Sequence, residues 1–153
     1  NLENVIFASP DAGGTERVRD YAKYFDCEFV ICDKTREKAN EVKSVEVIGE
    51  VKDKDVIIVD DLIDTGGTIA MASNVIMDKG AKSVRAIITH PVLSGNAEEN
   101  LENSSLIELV VTDSIPLNIR NKKIKVLSIA GLFAKAIRKI HENESTSSLF
   151  INR

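Results

Sequence analysis

Short runs of valine, isoleucine and other apolar residues alternate along the chain with stretches in which apolar residues recur at helical spacing. Several of the runs are almost continuous in β-branched residues, which is typical of strands covered on both faces. The runs predict seven strands, at residues 5–9, 28–32, 45–48, 56–60, 83–89, 107–111 and 125–129. The stretches between them predict four helices, at residues 16–25, 68–79, 96–103 and 131–141.

This alternation predicts an α/β fold with three layers, in which a mainly parallel central sheet lies between two layers of helices. With 153 residues the chain has the length of one domain, which we expect at residues 1–143. Residues 144–153 are polar and then apolar, and we expect an interface or regulatory tail there. Residues 34–43 are charged and poorly periodic, which predicts a mobile loop.

Composition excludes several classes of function. The net charge of −4 argues against a sequence-independent nucleic-acid binder, and an aromatic content of 5% without tryptophan argues against a base-stacking surface. No apolar run approaches the roughly 20 residues of a membrane span, and no basic-then-apolar leader opens the chain. We therefore expect a cytoplasmic domain that binds neither nucleic acid nor membrane. Because the chain does not begin with Met, we expect part of a longer protein or a processed chain.

The most informative segment follows the fourth predicted strand, where a turn rich in glycine and threonine leads to a helix predicted to begin near Thr68. The first N–H groups of a helix point outward at the positive end of its dipole, where they bind anions. Gly66 and Gly67 permit backbone angles that aim further N–H groups inward, and Thr65 and Thr68 add hydroxyl donors. The turn therefore predicts a pocket for one phosphate monoester.

Two carboxylates, Asp60 and Asp61, precede this turn. They would repel a phosphate in contact with them, so we expect them to accept hydrogen bonds from adjacent hydroxyl groups, through which Mg²⁺ can also be held. A phosphate at one end and a vicinal diol at the other describe a pentose 5-phosphate. The alternative without a ligand is an Asp/Gly-rich turn in which Thr68 only caps the helix.

Three further residues each have two possible roles, one in binding or catalysis and one structural. Asp11 precedes two glycines at a strand-to-helix turn, where a carboxylate either binds Mg²⁺ or caps the helix near Gly14. Lys34 and Arg36 are alternate residues at a strand end, so both can project to one side and act on phosphates, or both belong to a solvated charged loop. Neither a G-x-x-x-x-G-K-[ST] motif nor a G-x-G-x-x-G motif is present.

With these features the sequence resembles the phosphoribosyl diphosphate-binding fold that phosphoribosyltransferases share with ribose-phosphate pyrophosphokinases. Three further stretches resemble the pyrophosphokinase family in particular. SPDAGG at residues 9–14 is similar to its metal-side loop, and DKTR at residues 33–36 is similar to the start of its catalytic loop. VLSIAGLF at residues 126–133, with STSSLF at residues 145–150, is similar to its C-terminal end. The resemblance covers the whole chain and corresponds to the C-terminal half of the usual family protein.

The resemblance implies a Mg²⁺-dependent transfer of the diphosphoryl group of ATP to O1 of ribose 5-phosphate, which gives 5-phosphoribosyl 1-diphosphate and AMP for nucleotide biosynthesis. It also implies a homo-oligomer, with phosphate or ADP as effectors. Since the family's N-terminal half binds most of the ATP, we expect this chain to supply the ribose 5-phosphate half and to be inactive alone. The alternatives are a phosphoribosyltransferase of the same fold and a non-catalytic regulatory paralogue or fragment.

The resemblance also assigns roles to residues. Lys34 and Arg36 are implied to be catalytic, Asp11 to be a Mg²⁺ ligand, and Ser145 and Ser147 to form a regulatory anion site. The residues implied to bind ribose 5-phosphate are Asp60, Asp61, Asp64, Thr65, Gly66, Gly67 and Thr68.

Overall fold

A computed structural model describes the backbone of residues 4–38 and 41–150. Within these ranges it describes all side chains except those of residues 34–44. Within these ranges the strands are β1 Val5–Ser9, β2 Phe29–Lys38, β3 Glu41–Ile48, β4 Asp55–Ile63, β5 Ser83–Pro91, β6 Glu108–Thr112 and β7 Ile124–Leu127. The α-helices are α1 Thr15–Phe25, α2 Gly67–Asp78, α3 Ala97–Glu102 and α4 Ala130–His141, and short 3₁₀ turns span Ala12–Gly14 and Ser147–Leu149. Among the described helices, none combines the length and the apolar character that a membrane crossing requires.

The strands form one sheet in the order β3-β2-β1-β4-β5-β6-β7. Neighbouring strands are parallel except for the antiparallel pair β2 and β3. The expected α/β fold with a mainly parallel sheet is therefore confirmed. The chain passes from β1 to β2 on one side and returns to β4 on the other, so the direction of strand addition reverses between β1 and β4. Ligands of such sheets bind beyond the carboxyl ends of the strands at this reversal.

The core explains why β4 is nearly continuous in apolar residues. Successive side chains of a strand point to opposite faces. Val56 and Ile58 join the larger core cluster together with buried residues of α2 and α3. Val59 joins a smaller cluster on the other face, under Val18 of α1. Because both faces of β4 are packed, the position at which its carboxyl end emerges is fixed.

The prediction of a loop at residues 34–43 was wrong for the part of this segment that the structure describes, and its mobility stays a prediction. β2 continues to Lys38 and β3 begins at Glu41, and the two strands pair from Ile31 with Ile48 as far as Lys38 with Glu41. A two-stranded antiparallel ribbon requires only paired backbone N–H and C=O groups, so charged side chains do not prevent it. Polar composition therefore says little about backbone pairing.

Lys34 and Arg36 lie on this ribbon, and their side chains lie outside the described part of the structure. The pairing register shifts between Thr35 and Arg36, and again between Arg36 and Lys38. Simple alternation along the strand therefore does not relate Lys34 to Arg36. Their catalytic role stays a prediction.

Candidate functional site

A cavity of about 180 Å³ lies at the carboxyl ends of β1 and β4, where the order of the sheet reverses. Its lining comes from the turn before α1, from the end of β4 and from the start of α2. The lining residues are Asp11, Asp60, Leu62, Ile63, Asp64, Thr65, Gly66, Thr68 and Ile69. The fold thus brings together half of the site residues that the sequence predicted, namely Asp11, Asp60, Asp64, Thr65, Gly66 and Thr68. Asp61 and Gly67 stand beside the cavity in the chain but are not among its lining residues.

The turn after β4 depends on one glycine. Gly66 has φ +74°, in the left-handed region, and precedes the first residue of α2, which is Gly67 rather than the predicted Thr68. A side chain at position 66 would strain the backbone because left-handed angles disfavour residues with a Cβ atom. The helical Gly67 needs no such freedom. The glycine pair therefore has one conformational role, at Gly66, and the first amides of α2 follow directly after it.

Two residues that the sequence analysis missed, Ser94 and Asn100, stabilise this turn by hydrogen bonds. The hydroxyl of Ser94 donates to the carboxylate of Asp64, and the Ser94 N–H donates to the Asp64 carbonyl at 3.1 Å. Asn100 Nδ2 of α3 donates to the Thr65 carbonyl at 2.8 Å. These bonds fix the turn before any ligand arrives. They also engage the carboxylate of Asp64, so this residue supports the turn as well as lining the cavity.

The acid pair is bound by a third residue that was missed, Arg17 of α1. Its Nη1 donates to Asp60 Oδ1 at 2.8 Å, and its Nη2 donates to Asp61 Oδ2 at 2.7 Å. Arg17 is the third residue of α1, and a cation in the first helical turn opposes the helix dipole. That local mismatch was the available signal, since it indicates a nearby anionic partner.

Asp60 and Asp61 differ in environment. The side chain of Asp60 is 20% exposed and that of Asp61 is 65% exposed. Burial raises the pKa of Asp60 above its usual value, and the neighbouring charge of Asp61 acts in the same direction. The Asp61 N–H, which donates to Asp60 Oδ1 at 2.9 Å, and the charge of Arg17 oppose this rise. Asp60 is thus the inner acid, while Asp61 is accessible to a ligand.

Asp11 serves as a cap in this structure. Its Oδ1 accepts hydrogen bonds from Gly13 N at 3.0 Å and Gly14 N at 3.3 Å, at the start of the short 3₁₀ turn. A Cβ atom on Gly14 would lie 2.5 Å from Ser9 Oγ, so only glycine fits there. The capping reading is therefore confirmed. Because Asp11 also lines the cavity, capping does not remove it from the candidate site.

Ser145 and Ser147 lie together at the start of the last 3₁₀ turn. Their hydroxyl oxygens are 2.8 Å apart, and Ser147 N donates to Ser145 Oγ at 3.2 Å. Both residues are exposed, as is Phe150. A regulatory anion site, and the division of the chain at residue 143, stay predictions.

A second cavity, of about 830 Å³, lies at the opposite ends of the strands. Its walls are mainly apolar and include Val5, Phe7, Phe25, Ile57 and Ile87. Asp26 and Glu28 also line it, but none of its lining residues belongs to the first turn of a helix. The smaller cavity is therefore the candidate site for a phosphorylated ligand.

The fold and the turn after β4 define a phosphoribosyltransferase-like α/β protein. An adenine phosphoribosyltransferase from Thermoanaerobacter pseudethanolicus has the same fold, with a TM-score of 0.51 and 20% identity over 72% of each chain. A phosphoribosylpyrophosphate synthetase from Mycobacterium smegmatis is more similar, with a TM-score of 0.83 and 38% identity over 92% of this chain and 46% of that one.

Sequence comparison identifies the family. A model of the phosphoribosyl synthetase-associated domain matches residues 11–151, and the chain belongs to this family. The chain is 53% identical to the ribose-phosphate pyrophosphokinase of Campylobacter jejuni, over 99% of its own length and 49% of that protein. It is 46% identical to the corresponding protein of Porphyromonas gingivalis, over 97% of this chain and 48% of that protein. The resemblance to pyrophosphokinases is confirmed, and the chain spans about half the length of these relatives.

Proposed function

We propose that the chain provides the ribose 5-phosphate-binding half of a ribose-phosphate pyrophosphokinase. The observation that carries this proposal is the cavity in which the turn at residues 64–68 meets the acid at the end of the same strand. The names of the relatives support the activity. In the complete enzyme the diphosphoryl group of ATP would pass to O1 of ribose 5-phosphate, and AMP would leave.

The turn at residues 64–68 and the acid beside it suit the two ends of this substrate. The 5-phosphate would lie against the turn, where Gly66 lets the chain approach closely and the first amides of α2 point outward. Asp61, exposed beside the turn, would accept hydrogen bonds from the ribose hydroxyls. Because Ser94 and Asn100 already hold the turn, little ordering would be needed on binding.

The carboxylates on the cavity wall suit Mg²⁺ only when the substrate supplies further ligands. Among the described residues no group of three acidic, histidine or cysteine side chains is arranged to hold a metal ion. Protein-bound Mg²⁺ commonly uses one or two carboxylates, substrate phosphates and water, so one carboxylate on the cavity wall fits this pattern. Asp11 is the residue that would hold it. Bound Mg²⁺ would neutralise charge on the phosphate oxygens during transfer.

The proposal also includes parts of the reaction outside the cavity. Lys34 and Arg36 would approach the transferred phosphates from the β2–β3 ribbon. ATP would be bound largely by the remaining half of the family protein, which spans about twice the length of this chain. Assembly as a homo-oligomer, control by phosphate or ADP through Ser145 and Ser147, and a cytoplasmic location belong to the same proposal.

Calorimetric titration with ribose 5-phosphate tests the proposed site. The wild-type chain should bind it, and Gly66→Ala should weaken binding about tenfold or more, because the substitution strains a backbone with φ +74° by about 1–2 kcal/mol and displaces the amides. Thr68→Val should have a similar effect through loss of a hydroxyl on the cavity wall.

Gly131→Ala is the matched control, since an added Cβ atom there meets no atom within 4 Å and the backbone is helical. Binding should be unchanged in this variant. A wild-type chain that does not bind ribose 5-phosphate, or a Gly66→Ala variant that binds it as tightly as wild type, would contradict the proposed site.

A further inference from the structure

Arg17 is the one residue of α1 found in contact with both acids at the end of β4, within the described part of the chain. The turn at residues 64–68, here named the phosphate turn for its proposed ligand, does not include Arg17. The other motifs identified in the sequence do not include it either. Its side chain is 32% exposed, so the guanidinium is partly withdrawn from solvent. The contact joins two strand-to-helix connections, one after β1 and one after β4.

The contact with Arg17 determines how the carboxylates of Asp60 and Asp61 are oriented relative to each other. Consecutive residues of a strand point to opposite faces, so the carboxylates of Asp60 and Asp61 have no intrinsic reason to face one ligand. A guanidinium is planar and carries its donors in a rigid fork, and here one nitrogen reaches each carboxylate at 2.8 and 2.7 Å. The fork therefore holds both acids in a defined relation to each other. A lysine, with a single nitrogen, would lack this rigid two-armed geometry.

The Arg17 guanidinium lies beside the glycine turn after β1. A Cβ atom built on Gly14 would be 3.4 Å from Arg17 Nη1, which is ordinary van der Waals contact. The same turn is capped by Asp11. Arg17 thus relates the acid pair to the turn that contains the proposed Mg²⁺ ligand.

We propose that Arg17 is a positioning residue that orients Asp60 and Asp61 toward the ribose hydroxyls and thereby sets the preference for ribose over deoxyribose. Arg17 engages Oδ1 of Asp60 and Oδ2 of Asp61, and each carboxylate has a second oxygen that can accept from a hydroxyl group. The 5-phosphate contacts do not depend on this arrangement. This inference rests on the proposed function of the cavity.

Two other roles for Arg17 give different results. If Arg17 only stabilises the fold, its loss lowers stability and affects all ligands alike. If Arg17 instead competes with the sugar for the carboxylates, its loss tightens binding of ribose 5-phosphate. If Arg17 positions the acids, its loss weakens binding of ribose 5-phosphate, whose hydroxyl groups contact the acids, and leaves binding of inorganic phosphate unchanged.

The test is calorimetric titration of the chain with ribose 5-phosphate, 2-deoxyribose 5-phosphate and inorganic phosphate. The variants are Arg17→Met, Arg17→Lys and the control Arg19→Met, which removes an exposed arginine from the same helix. In Arg17→Met we expect affinity for ribose 5-phosphate to fall about tenfold or more, and that for inorganic phosphate to change less than about twofold. The ratio of affinities for the two sugars should approach one, while Arg19→Met keeps the wild-type ratio.

Arg17→Lys should retain part of the preference, and it carries the test if Arg17→Met does not fold by circular dichroism. An unchanged ratio in the folded Arg17 variants, an equal loss for all three ligands, or tighter binding of ribose 5-phosphate would each overturn the inference. If the wild-type chain itself binds no ribose 5-phosphate, the proposed function fails, and the inference fails with it. Wild-type binding with an unchanged ratio in the variants removes the inference alone.

Discussion

At the scale of residues, Asp60 and Asp61 are adjacent in the chain but have different environments. Asp60 lines the cavity with a side chain that is only 20% exposed, and burial raises its pKa above the usual value for an aspartate. Asp61 is mostly exposed. Asp60 thus lies on the cavity wall and Asp61 beside it, a difference that the sequence pair DD does not show.

The raised pKa of Asp60 predicts how stability depends on pH. Between the usual aspartate pKa and the raised value, the folded chain binds more protons at Asp60 than the unfolded chain does. This group therefore lowers the free energy of unfolding as pH rises through that window. Asp60→Asn cannot titrate, so wild type should lose stability relative to the variant as pH rises from about 3.5, until the raised pKa is passed.

Urea denaturation of both proteins at a series of pH values measures this difference. Because the comparison is made at each pH, titration of groups distant from Asp60 largely cancels. A wild-type chain that gains stability relative to Asp60→Asn over the same window would show that the pKa of Asp60 is lowered in the fold.

At the scale of elements, the site is assembled from the connections that follow three adjacent strands. Asp11 and Arg17 come after β1, the phosphate turn comes after β4, and Ser94 and Asn100 come after β5. The carboxyl ends of parallel neighbours lie at one edge of the sheet, so these connections meet although they are far apart in sequence. The turn is therefore a composite of two connections, and α3 forms part of its support.

Asn100→Ala tests the contribution of α3 to the turn. The variant loses the bond to the Thr65 carbonyl, which should cost about 0.5–1.5 kcal/mol of stability and weaken ribose 5-phosphate binding several-fold. Glu98→Ala, an exposed change on the same helix, is the control. Thermal unfolding and calorimetry measure both effects. Binding that is as tight in Asn100→Ala as in wild type would show that the turn holds its shape without α3.

The difference between local and long-range information explains what the sequence predicted. β4 and α2 were predicted well because continuous apolar residues and a glycine–threonine turn are local signals. Ser94 and Asn100 were missed because their proximity to the turn depends on the order of strands in the sheet, which no local pattern contains. Arg17 carried a local signal, a cation in the first turn of a helix, but the identity of its partners depends on the same strand order. The β2–β3 ribbon was missed for a different reason, since its charged composition indicated exposure but not backbone pairing.

At the scale of the whole molecule, the described structure contains apolar surface beyond the candidate site. No residue of α4 is buried, and Phe133, Ile137 and Ile140 of this helix are more than half exposed. The relatives are about twice as long as this chain. The described structure thus combines a well-packed sheet and a formed turn after β4 with exposed apolar surfaces.

This difference in length predicts the behaviour of the isolated chain. It should bind ribose 5-phosphate but should not form 5-phosphoribosyl 1-diphosphate from ATP, because the proposed nucleotide-binding half is outside its sequence. An assay for AMP release, with ATP, Mg²⁺ and ribose 5-phosphate, measures this directly. A full-length relative is the positive control, and turnover by this chain at a comparable rate would contradict the proposed division of roles.

The central claim is that the turn after β4 binds a sugar phosphate, and a crystal structure of the chain with ribose 5-phosphate tests it most directly. The claim predicts phosphate oxygens within hydrogen-bond distance of the backbone amides at the start of α2, next to Gly66, with the ribose hydroxyls on Asp61. Density for ribose 5-phosphate in the large apolar cavity would contradict the claim. A ligand bound at full occupancy with its phosphate away from the turn would also contradict it.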